Sequence, residues 1–182
     1  MHESVHHFVK SIISPLPQAK GRVLEVGSQI VPGQEHMALR KLFTGCKEYV
    51  GVDIIDGGGV DHIGTASDYY GEDFDCVIAT EMLEHALDWA DEVHAMKLAL
   101  KVDGVLCLTT RSYGFPYHNP PDYWRFSPPE ICAMFADLLI LTVADDPQVP
   151  GVFFAGQKKR TTGDYDYGHI TPFKVPANYL LD

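Results

Sequence analysis

The alternation of short apolar runs with amphipathic stretches is the feature that most constrains the fold of this chain. Runs suited to buried strands occur at residues 22–27, 49–54, in a short form within 55–64, at 73–80 and at 105–110. Stretches with helical periodicity lie at residues 33–43 and 86–101. Strands that are apolar on both faces and alternate with helices predict a largely parallel sheet with helices packed on both sides.

Three further segments extend this pattern. Apolar residues recur at helical spacing from Val5 to Ile13 and predict an amphipathic N-terminal helix. Residues 127–130 read Ser-Pro-Pro-Glu, a capping box with proline in the first turn, and predict a helix that continues to Leu138. The apolar runs at 138–145 and 151–159 are joined by a link too short for a crossover helix, so they should form an antiparallel hairpin at the sheet edge.

Length and composition favour one domain of ordinary size. The 182 residues, 46% of them hydrophobic, can bury a substantial core. We expect this domain to span residues 1–160, including the N-terminal helix. Residues 161–182 have no clear period and are rich in Tyr, Gly, Asp and Pro, so we expect an irregular tail that packs on the body or on a partner subunit.

Charge and hydropathy exclude several kinds of partner. The formal net charge of -11 would repel a phosphate backbone, which argues against nucleic acid. No apolar run approaches the ~20 residues needed to cross a bilayer, and the N-terminus lacks the apolar core of a signal peptide. The four cysteines lie far apart without a CxxC pair, which is typical of free thiols in a reducing compartment. We therefore expect a soluble cytoplasmic protein without a membrane partner.

Polar residues follow the first two predicted strands, where open parallel sheets bind their ligands. Glu25, Gly27 and Ser28 end the first strand, and Asp53 ends the second. An acid in the second position can accept hydrogen bonds from both hydroxyls of a ribose, so a nucleoside cofactor is plausible. The dinucleotide fingerprint GxGxxG is absent, and the first loop taken alone could equally be a plain strand-to-helix turn.

The segments VLEVGS, YVGVDI, DFDCVIATEMLEH and LKVDGVLCLTTR, in this order, resemble the motif set of class I S-adenosylmethionine-dependent methyltransferases. In particular, the chain is similar to the small-molecule methyltransferases that carry a Leu-Glu-His triplet after the fourth strand. The resemblance implies an α/β fold with a three-layer, Rossmann-like sheet, mostly parallel with an antiparallel last strand. It also implies S-adenosylmethionine as the methyl donor, with S-adenosylhomocysteine as the product.

The resemblance further implies a set of cofactor-binding residues. Glu25 would anchor the methionine amino group and Asp53 the ribose, while Thr65 stands where the family often has an aspartate beside the adenine. The full predicted set is Glu25, Gly27, Ser28, Asp53, Ile54, Thr65, Ala66 and Thr80. Besides Thr65, two further departures from the family pattern occur: residues 28–32 replace the usual Gly-x-Gly continuation, and Val-Asp-Gly at 102–104 replaces Pro-Gly-Gly.

The acceptor side has two candidate general bases. His85 ends the EMLEH motif, and His118 lies in the aromatic loop RSYGFPYHNPPDYWRF at residues 111–126. Part of this loop resembles a Pro-Asp-Tyr-Trp-Arg-Phe element of a bacterial branch of the same enzymes. His85 could instead cap or pack under the next helix, and Trp124 could simply anchor the loop. The predicted substrate-binding residues at the rim of the cleft are Arg111, Tyr113, Tyr117, Asp122 and Tyr123.

These features lead to one principal hypothesis and two others. The first is a methyltransferase that acts on a small polar acceptor, most simply at a hydroxyl. The second is a methyltransferase-like binding or regulatory module without catalysis, and the third is a nicotinamide dehydrogenase. No set of residues fixes the geometry of a metal site, so we expect no metal. The aromatic tail could serve a homodimer.

Overall fold

The computed structural model describes residues 2–117, 121–160 and 166–179. Its three α-helices are α1 (Glu3–Ile13), α2 (Trp89–Ala99) and α3 (Pro128–Met134). Its strands are β1 (Arg22–Val26), β2 (Glu48–Asp53), β3 (His62–Ile63), β4 (Phe74–Thr80), β5 (Leu100–Arg111), β6 (Trp124–Arg125), β7 (Leu139–Asp145), β8 (Gly151–Gln157) and β9 (Phe173–Lys174).

Seven of these strands form one sheet in the order β3-β2-β1-β4-β5-β8-β7. Strands β1 to β5 pair in parallel. Strand β8 runs antiparallel to both β5 and β7, between which it lies. The predicted hairpin and the mostly parallel sheet with an antiparallel last strand are therefore confirmed.

Helices cover both faces of the sheet, because consecutive strand residues point to opposite sides. On one face, Leu24 belongs to a hydrophobic core formed with α2 and α3. On the other, Val23 packs in a second core with Val9 of α1 and with Leu39. Loops that leave the carboxyl ends of β1, β2, β4 and β5 are thus carried on a rigid three-layer frame.

The predicted helix at residues 33–43 is wrong. The segment forms two short 3-10 turns, Glu35–Met37 and Leu39–Leu42. Ala38 between them is extended, with φ -55° and ψ 119°, so the α-helical hydrogen bonds cannot continue through it. The helix predicted at 86–101 is shorter than expected, because Leu100 already belongs to β5.

The C-terminal segment is more regular than expected. Strand β9 pairs antiparallel with β6, and the Val175 amide donates to the Tyr123 carbonyl at 2.9 Å. Ile170 and Val175 are buried. Residues 166–179 therefore pack on the body of the domain, against the loop that follows β5.

Among the described residues, no helix has the length and apolar character that crossing a membrane requires.

Candidate cofactor and acceptor site

A cavity of about 580 Å³ opens at the carboxyl ends of β1 and β4. The turns that follow these two strands form one wall, the 3-10 turns around Arg40 form a second, and Gly59–Asp61 form the third. Four of the predicted cofactor-binding residues line it: Glu25, Gly27, Ser28 and Thr80. The cavity lies where the general rule for open parallel sheets places a ligand.

Gly27 lets the turns after β1 and β4 approach each other. Its φ is +76°, and a Cβ built on it would lie 2.6 Å from the Cβ of Met82. Any side chain at this position would therefore be strained by both its own backbone and its neighbour. The close approach brings the polar groups of both turns to one side of the cavity.

Glu25 is the buried acid of the site. The phenol of Tyr49 donates to its Oε2 at 2.6 Å. Burial raises the pKa of Glu25 to about 7, although the hydrogen bond from Tyr49 acts in the opposite direction. Burial also raises the pKa of Tyr49, so the phenol stays a donor. Glu25 is thus poised to lose its proton when a cation enters the cavity.

Ser28 lines the cavity, but its hydroxyl faces β2. The residue is 3% exposed, and within the described ranges its buried Oγ has no hydrogen-bond partner. A Cβ on Gly51 of β2 would lie 2.8 Å from this Oγ, so the hydroxyl packs against the sheet and does not open into the cavity. The Glu25 carboxyl and the Gly27 approach fit the methionine end of S-adenosylmethionine.

The other predicted cofactor-binding residues lie outside the lining of the cavity. Asp53 ends β2, where its carboxylate oxygens accept the amides of Gln29 at 3.0 Å and Ile55 at 3.1 Å. Ile54 beside it is exposed. These residues stand at the expected end of the sheet, with lone pairs left on both oxygens of Asp53.

Thr65 and Ala66 begin a short 3-10 turn. Thr65 is its N-cap and forms a capping box with Asp68. Ala66 is buried in the hydrophobic core, and its amide hydrogen-bonds to Glu92. The structure gives these two residues a clear local role, and a contact with adenine stays a prediction.

The sequence predicts Arg111 and Asp122 at the rim of the cleft, but the structure buries both side chains. Arg111 is 1% exposed and forms ion pairs with Glu81 and, at 3.2 Å, with Asp146. Asp122 is equally buried and pairs with Arg125 at 2.5 Å. Charged side chains normally stay in water, but these two have opposite charges within reach and can therefore be buried.

The three predicted tyrosines occupy different environments. Tyr113 is 75% exposed, and its ring meets that of Phe173 edge-on at 5.3 Å. Tyr117 lies 4.7 Å from the ring of Tyr179, between ring centroids. Tyr123 is half-buried, and its amide donates to the Glu84 carbonyl. The loop after β5 and the C-terminal segment thus present aromatic rings together.

His85 lies at the end of the turn after β4. Its Nδ1 is 3.1 Å from the carbonyl oxygen of Pro121 and 3.3 Å from Oδ1 of Asp122. The side chain is 20% exposed and does not line the cavity. His118, the second candidate base, lies outside the described residues.

Arg40 and Glu81 are two of the cavity-wall residues that the sequence reasoning missed. Arg40 pairs with Asp61 and stacks over the Tyr49 ring at 4.6 Å. Glu81 has a positive φ of 55° and pairs with Arg111. Only Glu81 carried a usable signal, since it directly follows a strand whose last residue was already assigned to the site. In the part of the chain that the structure describes, no three His, Cys, Asp or Glu residues are placed to hold a metal ion.

Residues 1–138 match a protein-family model described as a methyltransferase domain. The chain belongs to this methyltransferase family. The match, together with the sheet order, identifies it as a class I S-adenosylmethionine-dependent methyltransferase, so the predicted enzyme class and cofactor are confirmed. No curated protein matches the methyltransferase significantly.

Solved structures share the fold of the methyltransferase at low identity. The 1,6-didemethyltoxoflavin-N1-methyltransferase of Burkholderia thailandensis has a TM-score of 0.65 at 14% identity, over 86% of this chain and 79% of that chain. It was solved with 1,6-didemethyltoxoflavin and S-adenosylhomocysteine. An S-adenosylmethionine-dependent methyltransferase of Clostridium acetobutylicum has a TM-score of 0.64 at 10% identity, and the match covers 88% of this chain and 93% of that chain.

A third structure is a complex of the Haloferax volcanii Trm112 methyltransferase activator with a putative methyltransferase. It has a TM-score of 0.62 at 15% identity, and the match covers 89% of this chain and 92% of that chain. At such identities these likenesses speak for the fold of the methyltransferase, and the acceptor has to be argued from its own site.

Proposed function

We propose that this methyltransferase transfers the methyl group of S-adenosylmethionine to a hydroxyl group of a small polar acceptor. The observation that carries the proposal is the contact between Nδ1 of His85 and the Pro121 carbonyl, at 3.1 Å. A carbonyl oxygen can only accept a hydrogen bond, so this contact favours the imidazole tautomer with its proton on Nδ1. Nε2 then carries the lone pair that a general base needs.

At the cofactor end the task of the protein is recognition. S-adenosylmethionine, when bound, supplies an electrophilic methyl group on a sulfonium. Glu25 offers an acceptor inside the cavity for the amino group of its methionine part, and Asp53 retains lone pairs for the ribose hydroxyls. Positioning of this kind can supply much of the rate of a displacement reaction.

At the acceptor end the task is to remove a proton. His85 would take the proton of the acceptor hydroxyl at Nε2 as the oxygen becomes a nucleophile. Asp122, whose Oδ1 lies 3.3 Å from Nδ1, would stabilise the imidazolium that forms. His118 stays the second candidate for this role.

The aromatic rings beside this region favour a ring-bearing acceptor. Tyr113 and Phe173 form one exposed pair, and the half-buried Tyr117 forms a second pair with the exposed Tyr179. Apolar and aromatic surfaces with a few polar groups are typical of small-molecule sites. A polar aromatic compound with a free hydroxyl would suit both the rings and the base.

The experiment uses S-adenosylmethionine labelled with carbon-13 in its methyl group and a metabolite extract. Nuclear magnetic resonance of the methylated product distinguishes a methyl on oxygen from one on nitrogen. An O-methyl product supports the proposal. An N-methyl product, of the kind that the name of the Burkholderia enzyme indicates for that protein, contradicts the hydroxyl acceptor.

The His85→Gln variant tests the base with the same product as the readout. We expect kcat to fall by about 10²- to 10⁴-fold while the affinity for S-adenosylhomocysteine stays within about twofold. His7→Gln, at an exposed position on α1, is the control and should keep full activity. If His85→Gln turns over at the wild-type rate, His85 is not the base.

A further inference from the structure

Glu81, directly after β4, combines an unusual backbone with a position on the cavity wall. Its φ of +55° lies in the left-handed region, which is unfavourable for residues that carry a Cβ. Its amide donates to the Thr109 carbonyl at 3.0 Å, which holds the turn in this conformation. Non-glycine residues with such backbones cluster at functional sites. Glu81 is therefore a candidate for a role in the cavity that it lines.

The carboxylate of Glu81 is fixed from the protein side. Thr109 Oγ1 donates to its Oε1 at 3.0 Å, and Arg111 forms an ion pair with its Oε2. Arg111 is itself anchored by Asp146, so it cannot follow Glu81 into the cavity. The Glu81 side chain still keeps 17% of its exposure. A carboxylate held in this way and open on its other side is a preorganised hydrogen-bond acceptor.

A second carboxyl, that of Glu25, lines the same cavity. Glu25 lies in β1, and Glu81 directly follows β4, the parallel neighbour of β1 in the sheet. An ammonium group has three donors and can therefore donate to both carboxyls at once.

We propose that Glu81 binds the ammonium group of the methionine part of S-adenosylmethionine and that Arg111 is the positioning residue that orients its carboxylate. The proposal rests on the proposed function in one respect, since it requires the cofactor to occupy this cavity. It gives Arg111 a task at the cofactor end in place of the predicted contact with the acceptor.

Two nucleoside probes separate binding of the ammonium group from binding of the rest of the cofactor. S-adenosylhomocysteine carries the amino acid part, whereas 5′-methylthioadenosine has the same adenosine and thioether without it. By titration calorimetry, Glu81→Gln should bind S-adenosylhomocysteine about 10- to 100-fold more weakly and 5′-methylthioadenosine as wild type does. Glu48→Gln is the matched control, because Glu48 is an exposed carboxylate outside the lining of the cavity, and the substitution should change either affinity by less than about threefold.

Arg111→Lys and Thr109→Val test the positioning. Lysine keeps the charge but lacks the planar fork that holds two carboxylates, and valine removes the hydroxyl that holds Oε1. Each should weaken S-adenosylhomocysteine by about 2- to 10-fold and spare 5′-methylthioadenosine, with folding checked by thermal unfolding. If Glu81→Gln fails to fold, Arg111→Lys and Thr109→Val still test the proposal.

The outcomes distinguish this proposal from the proposed function. Unchanged binding of S-adenosylhomocysteine by Glu81→Gln overturns the proposal and leaves the function standing. Equal losses for both probes also overturn it, because the damage would then not concern the ammonium group. Binding of neither probe by the wild-type protein overturns the proposed cofactor site and this proposal with it.

Discussion

The Glu25→Gln substitution should make the ligand-free protein more stable while it weakens cofactor binding. Burial raises the pKa of Glu25 from 4.5 to about 7, so the folded protein holds this proton up to about neutral pH. The unfolded chain releases it near pH 4.5. Glutamine has nearly the same shape but no charge at any pH, and its carbonyl can still accept the hydrogen bond from Tyr49.

The magnitude follows from the two pKa values. A group whose pKa is raised in the folded state contributes stability that is fully present below its unfolded pKa and is lost as the pH rises through the folded one. For Glu25 the window runs from 4.5 to about 7, which at about 1.4 kcal/mol per pH unit amounts to roughly 3 kcal/mol. The glutamine variant does not titrate, so its free energy of unfolding does not fall in this way. The difference in free energy of unfolding between Glu25→Gln and wild type should therefore grow by about 2 kcal/mol between about pH 5.5 and pH 8.

Urea unfolding of both ligand-free proteins at these two pH values measures the effect. Glu48→Gln is the control, since Glu48 is an exposed partner of Arg22. The stability difference between Glu48→Gln and wild type should not change with pH over the range in which Glu25 titrates. Calorimetry at pH 8 should show that Glu25→Gln binds S-adenosylhomocysteine at least about tenfold more weakly, because the ammonium group loses a charged acceptor. A stability difference between Glu25→Gln and wild type that stays constant with pH would refute the reasoning, and so would a variant less stable than wild type at pH 8.

Two further substitutions test the same wall of the cavity. Tyr49→Phe removes the hydrogen bond that lowers the pKa of Glu25, so a larger share of Glu25 should be protonated at pH 7. Binding of S-adenosylhomocysteine should therefore be weakened more at pH 7 than at pH 9. Equal losses of affinity at both pH values, measured by calorimetry, would contradict this. Gly27→Ala should lower the free energy of unfolding by about 2 to 3 kcal/mol through its positive φ and the approach to Met82. Gly33→Ala has a similar φ but open space around it, so chemical denaturation should show a cost of only about 1 kcal/mol.

The sequence predicted the frame of this enzyme well because the frame depends on local patterns. Apolar runs of strand length located the sheet, and the serine at 127 and glutamate at 130 located the start of α3, where the Ser127 amide donates to Glu130 Oε2 at 2.7 Å. The error at residues 33–43 has the opposite origin. The segment has helical periodicity, but Ala38 is extended in the fold. Alanine has a high helix propensity, so the residue type at this position does not predict the break in the helix.

The burial of two predicted rim residues, Arg111 and Asp122, has a different origin. Arg111 was expected in water because it begins a polar loop, yet its partners are Glu81 and Asp146, one well before it in the chain and one well after. A single sequence does not reveal which distant charges meet, and burial of a charge is decided by that meeting. The same limit applies to Asp122 in part, since Arg125 is close in sequence but His85 is not.

The shortage of glycine in the loop after β1 has a structural counterpart on the neighbouring elements. Residues 28–32 replace the Gly-x-Gly continuation of the family pattern, and glycines on the neighbouring elements make room for them. A Cβ on Gly51 would lie 2.8 Å from Ser28 Oγ, and one on Gly59 would lie 2.5 Å from the Ser28 carbonyl oxygen. The small residues needed for close approach are thus supplied by β2 and the loop after it, which also takes the place of a helix before β3. The Ser28 hydroxyl therefore packs against β2, and the departure from the pattern is accommodated between the loop and the sheet while the cavity stays open.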